Sequence, residues 1–168
     1  VGQPRLIEQT VRGHTGIRTM QHTTDQFRSM MTKAAEIAAS ASRTTITPLD
    51  VVVALVNKRF AGSQMLSGLG VTREHVQKFL STNQSAIGVA EADSLIVGHL
   101  SENGWQLAPD FADIVSKWVK SLDHTYAGTE HAILAICEIP DRMVDALLTS
   151  AGHTRERLKG FILEILGH

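Results

Sequence analysis

The chain has 168 residues, 43% of them hydrophobic, 20% charged and only 5% aromatic, with 16 basic against 17 acidic residues for a net charge of −1. A chain of this size buries roughly 70% of its unfolded surface, so it needs no disulfide or metal to hold together, and its length fits one domain or one duplicated domain. The absence of a basic excess excludes a phosphate backbone as the expected partner, and no apolar stretch approaches the roughly 20 residues of a membrane span. Scarce aromatics leave an aliphatic core, which suits helix-on-helix packing. The single cysteine, Cys137, lies in the apolar run Ala132–Cys137 and reads as a small buried hydrophobe. No signal-peptide hydrophobic region is present, so the cytoplasm is the expected compartment.

Residues 1–22 are polar, contain Arg5, Arg12 and Arg18, show no helical period and read as a flexible lead-in. From Asp25 the pattern changes: Phe27, Met30, Met31, Ala34, Ile37, Ala38 and Ala41 recur at three- and four-residue steps, one stripe of a helix that Ser42–Thr45 break. Thr47 can cap the next helix, Pro48 suits its first position, and Asp50 stands where a capping box places its acid. That cap chemistry assigns the β-branched run Val51–Val56 to a buried helix rather than a strand. A third helix is expected over Ser63–Leu69, closed by Gly70, and a fourth from Thr72 with Val76, Phe79 and Leu80 inward. Residues 83–104 read as a connector around the apolar group Leu95-Ile96-Val97. Helices are then expected over Pro109–Leu122, Thr129–Cys137, Met143–Leu148 and Thr154–Leu166, the last with Leu158, Phe161, Ile162 and Ile165 inward.

The two helical series correspond. Gly70–Leu80 aligns with Gly152–Ile162, sharing Gly, Thr, Arg, Glu and Phe, and Leu49–Leu55 aligns with Glu130–Ile136. The glycine predicts a left-handed cap, the threonine a helix start, and the phenylalanine a core contact. The expected fold is all-α: two pseudo-symmetric four-helix repeats, about eight helices, packed as one domain. Repeat one spans 23–82 and repeat two 105–168.

Chemistry is sparse. The chain has no P-loop pattern, no G-x-G-x-x-G and no H-E-x-x-H. Its eight histidines are scattered; only His124 and His131 lie close, with Gly128 between them, and no metal site is expected. No serine sits in a nucleophile-elbow context, and Cys137 is set in an apolar run, so no enzymatic activity is expected. A hydrolase on an unrecognised helical fold is the contrasting alternative, to be tested by an activity screen.

The segment His124–Ile136, with Gly128-Thr129-Glu130-His131 at its centre, resembles the central motif of the Clp amino-terminal repeat, and Thr45–Leu55 looks like a divergent first copy. The resemblance covers residues 23–168. It implies a non-catalytic module at the front of Clp-type AAA+ unfoldases that recruits protein substrates or adaptor proteins. ATP would act only through a separate AAA+ region, and the module itself needs no cofactor. Stand-alone relatives that dock on a Clp ATPase, or sequester a peptide-like ligand, are the alternative. In one branch the module resembles a receptor for phosphorylated arginine, the motif glutamate taking the guanidinium beside a threonine near the start of the first helix. Carried over, Glu130 is that glutamate, Gly128 and Thr129 its backbone setting, and Thr24 the matching threonine. Leu49 replaces the glutamate of the first copy, so at most half of such a site is implied. Trp105 is the candidate to line a peptide groove, while Trp118 falls on the apolar stripe and His131 reads as structural.

Overall fold

The computed structural model describes residues 22–89, 92–101 and 104–167. The expected lead-in therefore lies outside the described residues, except for His22. Side-chain caps set most helix starts. Helix α1 (Asp25–Ser40) begins at Thr24, whose Oγ1 accepts from the Phe27 amide at 3.0 Å. Helix α2 (Pro48–Val56) carries a full capping box: Asp50 Oδ2 accepts from the Thr47 amide at 2.9 Å and Thr47 Oγ1 from the Asp50 amide at 3.3 Å. Helix α3 (Ala61–Gly68) starts two residues before the expected Ser63, because Ser63 Oγ accepts from the Phe60 amide and the start moves back with it. Thr72 caps α4 (Arg73–Thr82), and a six-residue α5 (Gln84–Val89) follows.

The second series holds α6 (Pro109–Ser121), α7 (Thr129–Glu138), α8 (Arg142–Ser150) and α9 (Arg155–Ile165). Buried Asp141 starts α8 by accepting from the Met143 and Val144 amides, which extends it beyond the expected Met143–Leu148. Among the described residues, eight helices thus have eight residues or more, as the repeat predicts.

Between the two series, the segment read as a connector does more than connect. Strands β2 (Val97–Ser101) and β3 (Gly104–Leu107) form an antiparallel hairpin, and Ile46 bridges to Val97. Ile96 and Val97 are fully buried, while Leu95 stays 38% exposed. The second sheet is a short parallel pair, β1 (His22–Thr23) with β4 (Tyr126–Ala127).

The pseudo-symmetry is written in the backbone. Ser42 and Asp123, the two non-glycine residues with left-handed φ among those described, stand at equivalent positions with φ of 60° and 58°. Each is followed by an amide that reaches back to the same helical carbonyl: Arg43 N–H to Ala38 O, and His124 N–H to Val119 O, both at 2.9 Å. Gly70 and Gly152 match likewise at φ 82° and 84°, a conformation that favours glycine.

Helices α2 and α7 are buried on nearly all sides, which explains why their sequences are apolar all round rather than striped. Helix α2 packs on α1, α3, α4 and α8; α7 packs on α6, α9, α3 and α1. The halves therefore share one core. One close join is Gly62 against α7, where a Cβ would stand 2.7 Å from Ile133 Cδ1. Two inward expectations are corrected, and a third residue packs on the core less deeply than its counterpart. Ala41 is exposed because it follows the last turn of α1. Ile165 is 51% exposed at the end of α9. Phe161 is half-buried, its ring lying over Gly68, whereas Phe79 in the first copy is buried. No helix among the described residues is long and apolar enough to cross a membrane.

Candidate functional site

The β1–β4 pairing decides the geometry of the site. Thr23 is in register with Ala127, and the Thr24 amide donates to Ala127 O at 2.9 Å. Because the strands are parallel and each runs straight into a helix, α1 and α7 start side by side. Thr24 and Gly128, the two N-cap residues, are thereby brought together from opposite ends of the sequence.

Glu130 lies in the first turn of α7, half-buried. Its carboxylate folds back over Gly128, where a Cβ would meet Oε1 at 2.5 Å. That position near the positive end of the helix dipole suits an acid. The carboxylate also clusters with His124 and His131, one ligand-type atom of each lying within 4.8 Å of the others.

His131 is buried, and its two ring nitrogens are both committed. Nδ1 accepts from the Gly128 amide at 2.9 Å, so the proton of the neutral ring sits on Nε2, which donates to His124 Nδ1 at 2.7 Å. Burial lowers the pKa of His131, against an opposing pull from Glu130, and His124 pushes it further down. A metal ion does not fit this arrangement. It would need the Nε2 lone pair of His131, leaving the proton on Nδ1 to face the Gly128 N–H.

The remaining candidates separate. Thr129 is buried, and its Oγ1 accepts from the Gly62 amide at 2.9 Å, so its hydroxyl fastens α7 to α3 and is not open to a ligand. The hydroxyl of Thr24 caps α1 and is half-buried. Trp105 sits in β3 opposite Leu100, half-buried on the hairpin, an element separate from the α1–α7 edge. Trp118 is half-buried rather than core: its Nε1 donates to Glu138, and Lys117 and Lys159 lie over the ring at 5.7 and 5.1 Å. Burial pushes the Cys137 thiol up to about 12, so it is an inert packing residue.

Sequence reading missed Tyr126, which is 48% exposed beside the His22 ring at 5.6 Å on the same edge. The signal available for it was its place, four residues before Glu130 in the motif.

A double four-helix repeat with a motif acid at a helix start defines the class of fold. The chain belongs to the Clp repeat (R) N-terminal domain family, whose model matches residues 22–151. Among solved structures it resembles the N-terminal domain of Hsp104 from Candida albicans, at 15% identity and TM-score 0.61, over 86% of this chain and 91% of that one. It is similar to the N-terminal domain of the caseinolytic-protease-associated chaperone ClpD from Arabidopsis thaliana, at 15% identity and TM-score 0.62, over 87% and 95%. A protein studied as part of a malarial protein secretion system matches at 12% identity and TM-score 0.62, over 86% and 94%. Among curated protein sequences, none matches this chain.

Proposed function

We propose that this domain recruits protein substrates, or the adaptors that carry them, to a Clp-type ATP-dependent unfoldase, and performs no chemistry itself. The observation that carries this reading is the edge where α1 and α7 start together. It presents the Glu130 carboxylate, the Thr24 cap and the exposed ring of Tyr126 at one place. A carboxylate and an exposed aromatic ring four residues apart in the chain are the groups that a guanidinium or ammonium favours. Two adjacent helix starts favour an anion next to it. Phosphorylated arginine combines both charges, and only this copy offers the acid, since Leu49 at the matching position is a buried aliphatic.

The test titrates the protein with a phosphoarginine peptide, the same peptide unmodified, and an unmodified unfolded protein, each against Glu130→Ala. The reading expects one phosphoarginine site per chain, lost in the variant. Undetectable phosphoarginine binding removes the charged-ligand half of the proposal. Failure of all three ligands assigns recruitment to a dedicated adaptor.

A further inference from the structure

A second concavity lies away from the α1–α7 edge, between the N-terminus of α6, the C-terminus of α7 and the segment before β2. Its volume is about 770 Å3, within the range that takes side chains or small ligands. Leu95, Ile114, Ile139 and Pro140 supply apolar surface, and every ionisable residue lining it is an acid: Asp93, Asp110, Asp113 and Glu138.

These four acids fall into two pairs. Asp93 is held by Arg142, whose Nε lies 2.9 Å from Oδ1. Glu138 is held by Lys117 at 3.1 Å and by the indole of Trp118. Asp110 and Asp113, both exposed, have no ion pair among the described residues. They are three apart on α6 and share a face with Ile114, so two like charges repel each other beside an aliphatic side chain. The dipole of α6 accounts for Asp110 in its first turn, but not for Asp113 one turn on. A self-repelling acidic rim over an apolar floor that includes the exposed Leu95 is unfavourable in the free domain. An occupant bringing both aliphatic and cationic groups would relieve both terms.

We infer that this groove binds an extended polypeptide stretch in which aliphatic side chains alternate with Lys or Arg. Extended backbone sends successive side chains to opposite sides, so the aliphatic set enters the floor while the cations reach Asp110 and Asp113. The inference rests on the recruitment reading for its choice of polypeptide as ligand. It names a site distinct from Glu130.

The test uses the full chain and a short labelled peptide of alternating Leu and Lys, with Leu/Glu and Ser/Lys peptides as controls. Fluorescence anisotropy reads affinity, and methyl NMR reads location. The Leu/Lys peptide is expected to bind, to shift the methyls of Leu95, Ile114 and Ile139, and to weaken about tenfold or more in Asp110→Asn/Asp113→Asn and in high salt. Both substitutions are at exposed positions and leave the fold intact. Equal binding to the variant, equal binding of either control, or shifts confined to the α1–α7 edge would overturn the assignment. So would methyl shifts produced by raising the protein concentration alone, which would make a second copy the occupant. An unfolded protein that binds wild type and variant alike removes the groove and leaves recruitment standing. Peptide binding here without any unfolded-protein or phosphoarginine binding does the reverse.

Discussion

Arg43 and Asp50 in the first half of the molecule stand where His124 and His131 stand in the second, each pair following a left-handed residue and ending in the first turn of a central helix. The backbone makes the same demand twice: the amide of the N-cap residue needs an acceptor three residues on. Asp50 meets it with a carboxylate, itself gripped by both arms of Arg43 at 2.7 Å. His131 meets it with a neutral ring nitrogen, and its other nitrogen donates a hydrogen bond to His124. The acid of the first turn has moved with this change. In α2 it is Asp50, and the neighbouring Leu49 is buried; in α7 it is Glu130, beside a neutral histidine. A glutamate at position 49 would stand next to a buried, already charged carboxylate. The neutral cap of the second copy is thus what leaves room for an acid beside it in the first turn of α7.

The largest expected effect comes from breaking the charged version. Arg43→Ala leaves Asp50, 3% exposed, without its counter-charge. Breaking a fully buried pair costs about 3–5 kcal/mol, and water at the half-exposed guanidinium reduces this to about 2 kcal/mol. Urea unfolding should show it as a lower midpoint with an unchanged slope. A smaller loss follows from Thr129→Val, which keeps the shape but orphans the buried Gly62 amide, for about 1–2 kcal/mol. Its counterpart in the first copy is Pro48, which has no hydroxyl and makes no such tie, so Pro48→Ala should stay within about 1 kcal/mol. Similar losses for both would mean that the halves are joined more evenly than the Thr129–Gly62 bond implies.

Acid separates the two pairs next. His131 has a lowered pKa in the folded protein, so the unfolded chain binds the extra proton first. Its contribution is complete above about pH 6.5 and fades as the pH falls below that value, at no more than about 1.4 kcal/mol per pH unit. The first pair, Arg43–Asp50, contains no imidazole. Stability of the wild type measured by urea between pH 7 and 5.5 should therefore decline, while His124→Arg/His131→Asp, which rebuilds the first pair in the second copy, should flatten the curve. An equally steep decline in that variant would place the titration elsewhere. Because Glu130 adjoins the same two rings, ligand binding at the α1–α7 edge should weaken over the same range.

Much of this was legible in the sequence because caps and periods are local. Thr47-Pro48-Leu49-Asp50 announces α2 despite a valine run, and the two Gly-x-Thr-Arg-Glu segments announce the repeat. The hairpin was hidden because Gly98 and Gly104 interrupt the alternation that marks a strand, and β1 and β4 have only two residues each. Nothing local reveals that β1 and β4 pair, which brings Thr24 to Gly128 across the whole first half. Thr129 was read as part of the ligand setting because a hydroxyl at a helix start looks the same in sequence whether it faces a ligand or an adjoining helix. Gly62, the residue whose amide donates to it, carries no signal of its own.

The smallest test returns to what the copies share. Thr72 Oγ1 accepts from the His75 amide at 3.2 Å, and Thr154 Oγ1 accepts from the Arg157 amide at 3.1 Å. Each follows a left-handed glycine whose next amide closes the preceding helix, Val71 N–H to Leu66 O and His153 N–H to Leu148 O. Identical geometry should give similar energies, so Thr72→Ala and Thr154→Ala should each lose about 1 kcal/mol, with Thr154 the lower because water reaches its exposed cap and can replace the hydroxyl. Thermal or urea unfolding of the two variants and their double resolves this. Additive losses would show that α4 and α9 are independent caps on one cooperative core. A loss for Thr72 alone would show that the second copy, which carries the candidate ligand acid, has let its outer helix loosen while the first remains the scaffold.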